Sequence, residues 1–471
     1  MKINRLVHPG FWFGKTKPED ALKLARLGVG GFCLYGGTRK QVAELARALR
    51  DASPLKKILI SADYEDGLGR WLPDAELLPS NLALGAANEE NLAFEKGLLT
   101  ARQAKSLGVD WVLGPVLDLA DCPQNPIVNT RSFGAEPQLV VRLARAFMKG
   151  LSAGGALNSI KHFPGHGNTS TDSHMALPTV SSGADHLQTH ELYPFQALLP
   201  VADSIMVGHL LVPALDEKSP ASLSTKIISG LLKTKMGYKG CVVTDALCMK
   251  ALGDEKQAAL SAFFAGAHIL LVPEKPFELL EFLNQTLLDK TLLEEANQQQ
   301  DALCARADLI AAPCEEVAFQ PTDFAARTAP KALTRLGPKL TLMPGQTVRV
   351  IEVGNDENLS SKPFLNALRQ GGIILAKPGE GADVLVVLCW RRYQAFKGKI
   401  ALDSAEINRV QTALKQYPAH LLVTLANPWG AKQLKAQSTL FTFSPAPSFQ
   451  QAAAECLLGR FEPTGKLPIT L

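Results

Sequence analysis

The sequence predicts an α/β protein with an N-terminal (β/α)8 TIM-type barrel and a smaller C-terminal α/β sandwich domain. Eight short apolar runs alternate with amphipathic segments, a proline-containing stretch then breaks the pattern, and a second alternation follows. Continuous apolar strands are typical of parallel sheets covered on both faces, and a barrel usually takes about 250 residues. We place the barrel at 1–312, a linker at 313–345 and the sandwich at 346–471. A doubly wound open sheet is the alternative for the first region.

The barrel strands are predicted from eight apolar runs. In chain order they are "VHPGFWF" near residue 10, "GVGGFCLYG" near 32, "KILISADYE" near 60, "DWVLGPVLDL" near 114, "LNSIKHF" near 160, "SIMVGHLLVP" near 208, "GCVVTDAL" near 243 and "HILLVPE" near 271. Between them, segments such as "TRKQVAELARALRDA" repeat apolar residues at three- and four-residue steps, which indicates helices.

The second domain is predicted from a shorter alternation of the same kind. The stretch "AAPCEEVAFQPTDFAARTAPKALTRLGPKLTLMPGQT" has prolines and no sustained period, which is typical of a connection between domains. Beyond it, strands are predicted at "VRVIEVG", "GIILAK", "DVLVVLCW", "HLLVTLANP" and "LFTFSP", with helices at "SAEINRVQTALKQ" and "SFQQAAAECLLG". This pattern predicts a layered α/β domain.

Composition indicates a soluble enzyme and excludes several other classes. The net charge of +4 over 471 residues is not gathered into basic runs, so we expect neither nucleic-acid nor membrane binding. The eight cysteines form no C-x-x-C pair and predict reduced, mostly buried thiols. The first residues contain no continuous apolar segment typical of a secretory leader, so we expect a cytoplasmic protein. We expect a monomer or weak oligomer without cofactor or metal.

Candidate catalytic side chains follow the predicted strands, since barrel active sites are built from loops at the carboxyl ends of strands. Those residues are Asp63, Glu65, Asp118, Arg131, Lys161, His162, His166, Asp172, His174, His209 and Asp245. Six of the nine histidines lie between 162 and 209, a clustering that core packing alone does not explain. These residue types suit acid–base and nucleophilic chemistry.

Each candidate also has a purely structural interpretation. Asp245 could cap the next helix. Arg131 could pair with Glu136, and Lys161 with a carboxylate on a neighbouring strand. His166, between two glycines, is expected to brace its loop by a hydrogen bond.

Asp172 and His174 are more informative as a pair, because an Asp can fix the tautomer of a nearby imidazole and raise its basicity. Such a pair can donate and accept protons near neutral pH, and the reaction then needs a second group that acts on the substrate. A carboxylate such as Asp245 could act as the nucleophile, as in retaining glycosidases.

A zinc-dependent hydrolase is the competing hypothesis. Its ligands would come from His162, His166, Asp172, His174, His209 and Asp245. Against it, His162 and His166 flank a Phe-Pro-Gly turn and do not share a helix face or a strand face. His209 could equally be a buried, hydrogen-bonded residue beneath the site.

The segment "KHFPGHGNTSTDSHMALP" resembles the signature of the β-N-acetylglucosaminidases of glycoside hydrolase family 3. The blocks "GPVLDLADCPQNPIVNTRSFGAEP", "IMVGHLLVPALD", "PASLS", "GYKGCVVTDALCMKAL" and "AGAHILLVP" agree with it in the family's order. The ending "AAAECLLGRFEPTGKLPITL" resembles the second domain of two-domain members. The resemblance covers about residues 55–280 and the C-terminal end.

The resemblance implies a retaining mechanism with Asp245 as nucleophile, His174 as acid and base, and Asp172 as the residue that orients His174. It implies that the sugar is bound by five further residues: Asp63, Arg70, Arg131, Lys161 and His162. The block that carries Arg70, "DYEDGLGR", departs from the commoner form of that block in the family. Asn168 and His268 replace residues that are usually Asp, with altered local hydrogen bonding expected.

A His–Asp dyad is similar to the N-acetylglucosaminidase branch, so the expected substrate is a GlcNAc-containing saccharide or muropeptide. The resemblance and the expected compartment together imply removal of terminal β-GlcNAc from 1,6-anhydro-muropeptides during peptidoglycan recycling. A β-N-acetylglucosaminide phosphorylase or a β-glucosidase of the same family is the alternative, and a non-catalytic sugar-binding protein is a third hypothesis.

Overall fold

The computed structural model describes residues 2–169, 177–310, 322–354, 359–390 and 402–471. It contains an N-terminal α/β region with parallel strands and a C-terminal α/β region built on one sheet. The predicted fold class is confirmed: the arrangement is a TIM-barrel-like domain followed by a sandwich domain.

Every predicted barrel run contains a strand. The N-terminal strands are β1 (Val7–His8), β2 (Gly10–Trp12), β3 (Gly31–Tyr35), β4 (Leu59–Ala62), β5 (Trp111–Val112), β6 (Ile160–Phe163), β7 (Ser204–Val207), β8 (Cys241–Thr244) and β9 (Leu270–Leu271). The first run forms two strands because Pro9 separates them and has no N–H to donate to a ladder.

The pairing of these strands follows the order of a barrel. Parallel ladders join β2–β3–β4–β5, β6–β7–β8 and β1–β9. Isolated parallel bridges link Trp111 to Leu157 and Val243 to Ile269, so the ladders follow one another around a ring. The first strand pairs with the last, which is typical of a barrel and not of an open doubly wound sheet. Within the described residues the ladders stay separate, so the ring is not one continuous sheet.

Helices surround these strands. They are α1 (Pro18–Arg26), α2 (Arg39–Ala52), α3 (Asn81–Ala87), α4 (Glu90–Ser106), α5 (Pro137–Ala153), α6 (Ala184–Thr189), α7 (Tyr193–Leu198), α8 (Glu255–Ala265), α9 (Pro276–Gln285) and α10 (Lys290–Leu309). A π-helical segment, Lys226–Lys235, precedes β8. The helices α4 and α5 pack closely, since a Cβ on Gly97 would lie 2.2 Å from the carbonyl oxygen of Phe147.

The C-terminal domain is a six-stranded sheet with helices. Its elements are α11 (Phe324–Ala332), β10 (Thr334–Leu336), β11 (Thr347–Val353), α12 (Lys362–Gln370), β12 (Ile374–Leu375), β13 (Val384–Cys389), α13 (Ser404–Gln416), β14 (His420–Thr424), α14 (Gly430–Leu434), β15 (Ser438–Phe441) and α15 (Pro447–Leu457). The strand order is β10-β15-β14-β13-β11-β12, and only β10 is antiparallel to its neighbour in this sheet. Every residue of β13 is buried, as expected for a strand covered on both faces.

The predicted linker, 313–345, contains regular structure where it is described. Helix α11 and strand β10 both lie inside it, and β10 is the edge strand of the C-terminal sheet. Pro330 lies within α11, and its presence hid the helical pattern in the sequence. The sheet therefore begins before residue 346.

The short helix α3 joins the two domains. Its residues Leu82, Ala83 and Ala86 are buried in the same apolar cluster as the C-terminal sheet. The hydroxyl of Ser80, which caps α3, donates a hydrogen bond to the carbonyl of Phe443 at 2.8 Å. The backbone N–H of Lys466 donates to the carbonyl of Ala86 at 3.0 Å. The second domain is therefore packed directly against the loop region of the first.

Candidate active site

A cavity lies at the carboxyl ends of the N-terminal strands. It brings together five of the predicted site residues, namely Asp63, Arg131, Lys161, His162 and Asp245. His166 lines the same cavity. The neighbouring elements are the loop after β4, the segment before α5, the strand β6 and the end of β8. Polar groups from four separate chain regions thus converge as barrel geometry predicts.

A buried ion-pair network forms one side of this cavity. The guanidinium of Arg131 donates two hydrogen bonds to the carboxylate of Glu65, each 2.8 Å long. The ammonium of Lys161 lies 2.7 Å from Oδ1 of Asp63 and 2.6 Å from Oε1 of Glu65. Glu65 therefore fixes both cations, while Asp63 extends the network toward the cavity. Bidentate pairing of this kind fixes the orientation of the guanidinium plane.

Oppositely charged groups of this network stabilise each other's ionised forms. Burial opposes ionisation of Glu65, but Arg131 and Lys161 outweigh it and hold the pKa of that carboxyl well below its usual range. Burial likewise opposes the charge of Lys161, yet Asp63 and Glu65 raise the pKa of its ammonium. Both groups are therefore ionised throughout the neutral pH range.

The structure decides the two open ion-pair alternatives. Arg131 pairs with Glu65, and the carboxylate of Glu136 instead caps α5 by accepting from the backbone N–H groups of Gln138 and Leu139. Lys161 does pair with carboxylates, but these follow β4, which β5 separates from β6; Lys161 lines the cavity at the same time. The structural and the substrate-facing interpretations of Lys161 are thus compatible.

His162 is held in one orientation by its neighbours. Its Nδ1–H donates to Oδ2 of Asp118 at 2.6 Å, and its Nε2 lies 3.4 Å from Nη2 of Arg131. Asp118 also accepts from the backbone N–H of His162 and of His166. Burial opposes ionisation of Asp118, but the nearby His162 holds the pKa of this carboxyl below its ordinary value. Asp118, which the sequence offered only as one of the candidates after a predicted strand, is the residue that orients this histidine.

Asp245 directly follows β8 and lines the cavity. Its backbone N–H donates to the carbonyl of Val207, and its Oδ1 accepts from the backbone N–H of Ala246 at 2.8 Å. The next α-helix, α8, is capped by Asp254 and not by Asp245. The helix-cap interpretation of Asp245 is therefore wrong.

His209 is buried and contacts the residue that follows Asp245. Its Nε2–H donates to the carbonyl of Ala246 at 3.0 Å, and its Nδ1 lies 2.7 Å from the hydroxyl of Ser222. These bonds hold the residue that follows Asp245. This matches the structural alternative for His209.

The remaining predicted residues lie elsewhere or outside the described part. Arg70 is not among the lining residues of the cavity; it pairs with Asp66 at 3.7 Å. Asp66 is in turn bound by the fully buried ammonium of Lys96 at 3.1 Å. Asp172 and His174 lie outside the described residues, so their roles stay predictions.

An aromatic wall, formed by Trp12, Tyr35 and Trp71, was missed by the sequence analysis. The rings of Trp12 and Tyr35 are stacked at 5.0 Å, and Trp71 meets Tyr35 edge-on at 5.2 Å. All three line the cavity. Trp12 ends β2 and Tyr35 ends β3, so the rule applied to charged residues at strand ends would have found two of them.

Two further properties concern only the described residues. They contain no group of three or more His, Cys, Asp or Glu side chains placed to hold a metal ion. None of their helices has the length and apolar composition needed to cross a membrane.

The strand-end cavity with its carboxylates, cations and aromatic wall is typical of an enzyme that acts on a polar small molecule or sugar. The family model described as "Glycosyl hydrolase family 3 N terminal domain" matches residues 1–304. The chain therefore belongs to glycosyl hydrolase family 3 and is a glycoside hydrolase.

Two relatives in sequence carry the same name. A "Beta-hexosaminidase" of Nitrosomonas eutropha is 33% identical over 306 residues, covering 61% of this chain and 87% of that protein. Another of Neisseria meningitidis serogroup C is 30% identical over 327 residues, covering 66% of this chain and 88% of that protein.

Solved structures match the whole chain. A glycoside hydrolase family 3 β-N-acetylglucosaminidase from Paenibacillus sp. str. FPU-7 has a TM-score of 0.88 and 28% identity, covering 100% of this chain and 98% of that one. A β-glucoside phosphorylase has a TM-score of 0.93 with 22% identity, covering 100% of this chain and 93% of that one. The second likeness shows the fold alone.

Proposed function

We propose that this protein is an exo-acting, retaining β-N-acetylglucosaminidase that removes terminal β-GlcNAc. The observation that carries the proposal is that Asp245 shares one cavity with Asp63, Arg131 and Lys161 in a chain of this family. The full-length likeness to a β-N-acetylglucosaminidase and the shared name of the sequence relatives support the GlcNAc substrate.

The sugar-binding part of the proposal rests on the ion-pair network. Asp63 offers carboxylate oxygens to sugar hydroxyls, while Lys161 and Arg131 offer N–H donors. Glu65 holds both cations in place before the sugar arrives, so little reorganisation is needed on binding. The aromatic wall supplies an apolar surface for the face of a pyranose ring.

The proposed mechanism has two steps. Asp245 attacks the anomeric carbon and forms a covalent glycosyl ester, while His174 gives a proton to the departing oxygen. His174 then takes a proton from water, whose oxygen attacks the same carbon and releases Asp245. Asp172 orients His174 and stabilises its cationic form. Two inversions at one carbon give net retention of configuration.

The natural substrate and compartment are part of the same proposal. We propose terminal β-GlcNAc on 1,6-anhydro-muropeptides as substrate and the cytoplasm as the place of reaction, in peptidoglycan recycling. Deletion of the gene is expected to make GlcNAc-bearing anhydro-muropeptides accumulate in the cytoplasmic fraction, measured by mass spectrometry. An unchanged muropeptide profile would contradict this biological role.

The activity is tested by a product assay with the purified full chain. We expect release of GlcNAc from an aryl β-GlcNAc and from an anhydro-muropeptide, with much slower turnover of an aryl β-glucoside. The initial product should be the β-anomer, as seen by NMR. Turnover should persist in EDTA, because no proposed step uses a metal.

The same assay separates the alternatives. Formation of GlcNAc-1-phosphate in phosphate buffer would indicate a phosphorylase, and preference for the glucoside would indicate a β-glucosidase. Complete loss of activity in EDTA, with stoichiometric zinc in the protein, would favour a zinc hydrolase. Sugar binding without turnover of any β-GlcNAc substrate would indicate a binding protein.

A further inference from the structure

His162, in β6, and His166, three residues after β6, both line the cavity, but they differ in their hydrogen bonds. Both ring nitrogens of His162 face protein partners, Asp118 on one side and Arg131 on the other. His166 is 1% exposed, and its Nε2 has no hydrogen-bond partner among the described residues. His166 thus presents a buried polar atom to which the described residues give no hydrogen bond.

The contacts of His166 determine which nitrogen carries its proton. The Nδ1 atom lies 2.9 Å from the hydroxyl oxygen of Thr169. That hydroxyl donates its own hydrogen to the carbonyl of His166 at 3.1 Å, and its oxygen also accepts from the side-chain amide of Asn125. Because the hydrogen of Thr169 is already engaged, Nδ1–H of His166 must be the donor. In a neutral ring, Nε2 is then an acceptor.

The charge state of the ring agrees with this tautomer. Burial lowers the pKa of His166 to about 4, with a smaller opposing effect from Asp118. The imidazole is therefore neutral at physiological pH. A buried acceptor without a partner is costly, so such atoms in native proteins usually meet water or a ligand.

We propose that Nε2 of His166 accepts a hydrogen bond from an O–H or N–H group of the bound sugar, which makes His166 a further substrate-binding residue. This inference rests on the proposed function, since it assigns a contact within the same cavity. The cavity's other fixed groups include the cations Arg131 and Lys161, which can only donate. A neutral acceptor adds a recognition element that they cannot provide.

Two variants separate substrate binding from loop bracing. His166→Asn keeps an amide N–H near the Nδ1 position and removes the Nε2 acceptor. His166→Gln can place an amide oxygen near the Nε2 position and loses the contact with Thr169. We expect His166→Asn to lower kcat/KM for an aryl β-GlcNAc about 10-fold with an unchanged Tm, since one hydrogen bond is lost. We expect His166→Gln to keep more activity and to have a lower Tm.

The reverse order of activities, or full activity of His166→Asn, would overturn the inference. A second measurement uses competitive inhibition by GlcNAc and by analogues that lack the acetamido group or one hydroxyl group. The loss of affinity in His166→Asn should disappear for the analogue that lacks the donor facing Nε2. An equal loss for every analogue would show that His166 acts only through the loop.

These outcomes are distinguishable from failure of the proposed function. If the wild-type protein neither binds nor cleaves any GlcNAc compound, the proposed function fails. If it does both while His166→Asn behaves like the wild type, only the role of His166 fails.

Discussion

Glu65 is the residue around which the cavity's charges are arranged. It is buried and contacts both Arg131 and Lys161, so its single negative charge lies between two cations and offsets their mutual repulsion. Because its pKa is held well below 4.5, its contribution to stability is present above that value and is lost only in strong acid. The pKa of Lys161 is raised, so its charge persists to high pH. Changes of activity between about pH 5 and 9 must therefore come from other groups.

The two proposed catalytic residues should differ in their dependence on the leaving group. Asp245→Ala should lower kcat/KM by at least about 10⁴-fold on every β-GlcNAc substrate, because the nucleophile is removed. His174→Ala should lose much more on alkyl glycosides than on dinitrophenyl glycosides, whose leaving groups need little acid assistance. Steady-state kinetics over a series of leaving groups measures this.

A matched control for Asp245→Ala is Asp254→Ala, which removes the cap of α8 outside the cavity. It should keep full activity and cost about 1 kcal/mol of unfolding free energy. An equal loss on all leaving groups in His174→Ala would contradict the acid role.

At the scale of elements, the positions of the strand ends could be predicted from the sequence. The ion-pair partners of the charged residues near those ends could not. Asp63 and Asp245 directly follow strands, Lys161 lies within β6, and all three line the cavity. The choice of Glu65 over Glu136 as partner of Arg131 depends on how β4 and α5 are placed in space. The sequence pattern does not give the distance in space between Arg131 and either glutamate.

Helix α4 fixes the loop that carries Asp63 and Glu65. Its Lys96, fully buried, donates to Asp66 at 3.1 Å and to the side-chain oxygen of Asn81 at 2.7 Å. Lys96→Met should lower the unfolding free energy by about 3–5 kcal/mol, because the carboxylate of Asp66 loses its close partner and is left with the longer, 3.7 Å pair to Arg70. Urea denaturation measures the loss, and kcat/KM should fall as the loop loosens.

Lys105→Met provides the matched control on the same helix. Lys105 pairs with Asp110 at 2.9 Å, but Asp110 is also bound by Arg50. We expect a cost of about 1 kcal/mol or less with unchanged activity. If Lys96→Met and Lys105→Met lowered the unfolding free energy by similar amounts, the proposed importance of the Lys96–Asp66 pair for stability would be contradicted.

At the scale of the whole molecule, α3 makes the two domains interdependent. One side of this helix lies in the apolar cluster of the C-terminal sheet, while the side-chain amide of Asn81 donates to the carbonyl of Arg131 at 2.7 Å. The C-terminal sheet therefore contacts α3, and α3 in turn contacts the cavity residue Arg131. The sequence could not reveal this link, because α3 is short and its apolar residues fit either domain.

Truncation of Leu82 tests this connection. Leu82→Ala should lower the unfolding free energy by about 2–5 kcal/mol, since the side chain is fully buried between the domains. Thermal unfolding followed by calorimetry should show the decrease. Leu287→Ala, at a side chain that is 91% exposed, should change it by less than about 0.5 kcal/mol. Equal stabilities of the two variants would contradict the interdependence of the domains.

The aromatic wall gives the protein an optical signal of its own. Of the five tryptophans, Trp12 and Trp71 are partly exposed in the cavity, whereas Trp111, Trp390 and Trp429 are buried away from solvent. A sugar that enters the cavity displaces water from the first two and leaves the other three in the same surroundings. The change in intrinsic fluorescence on binding therefore reports occupancy of the cavity in the unlabelled protein.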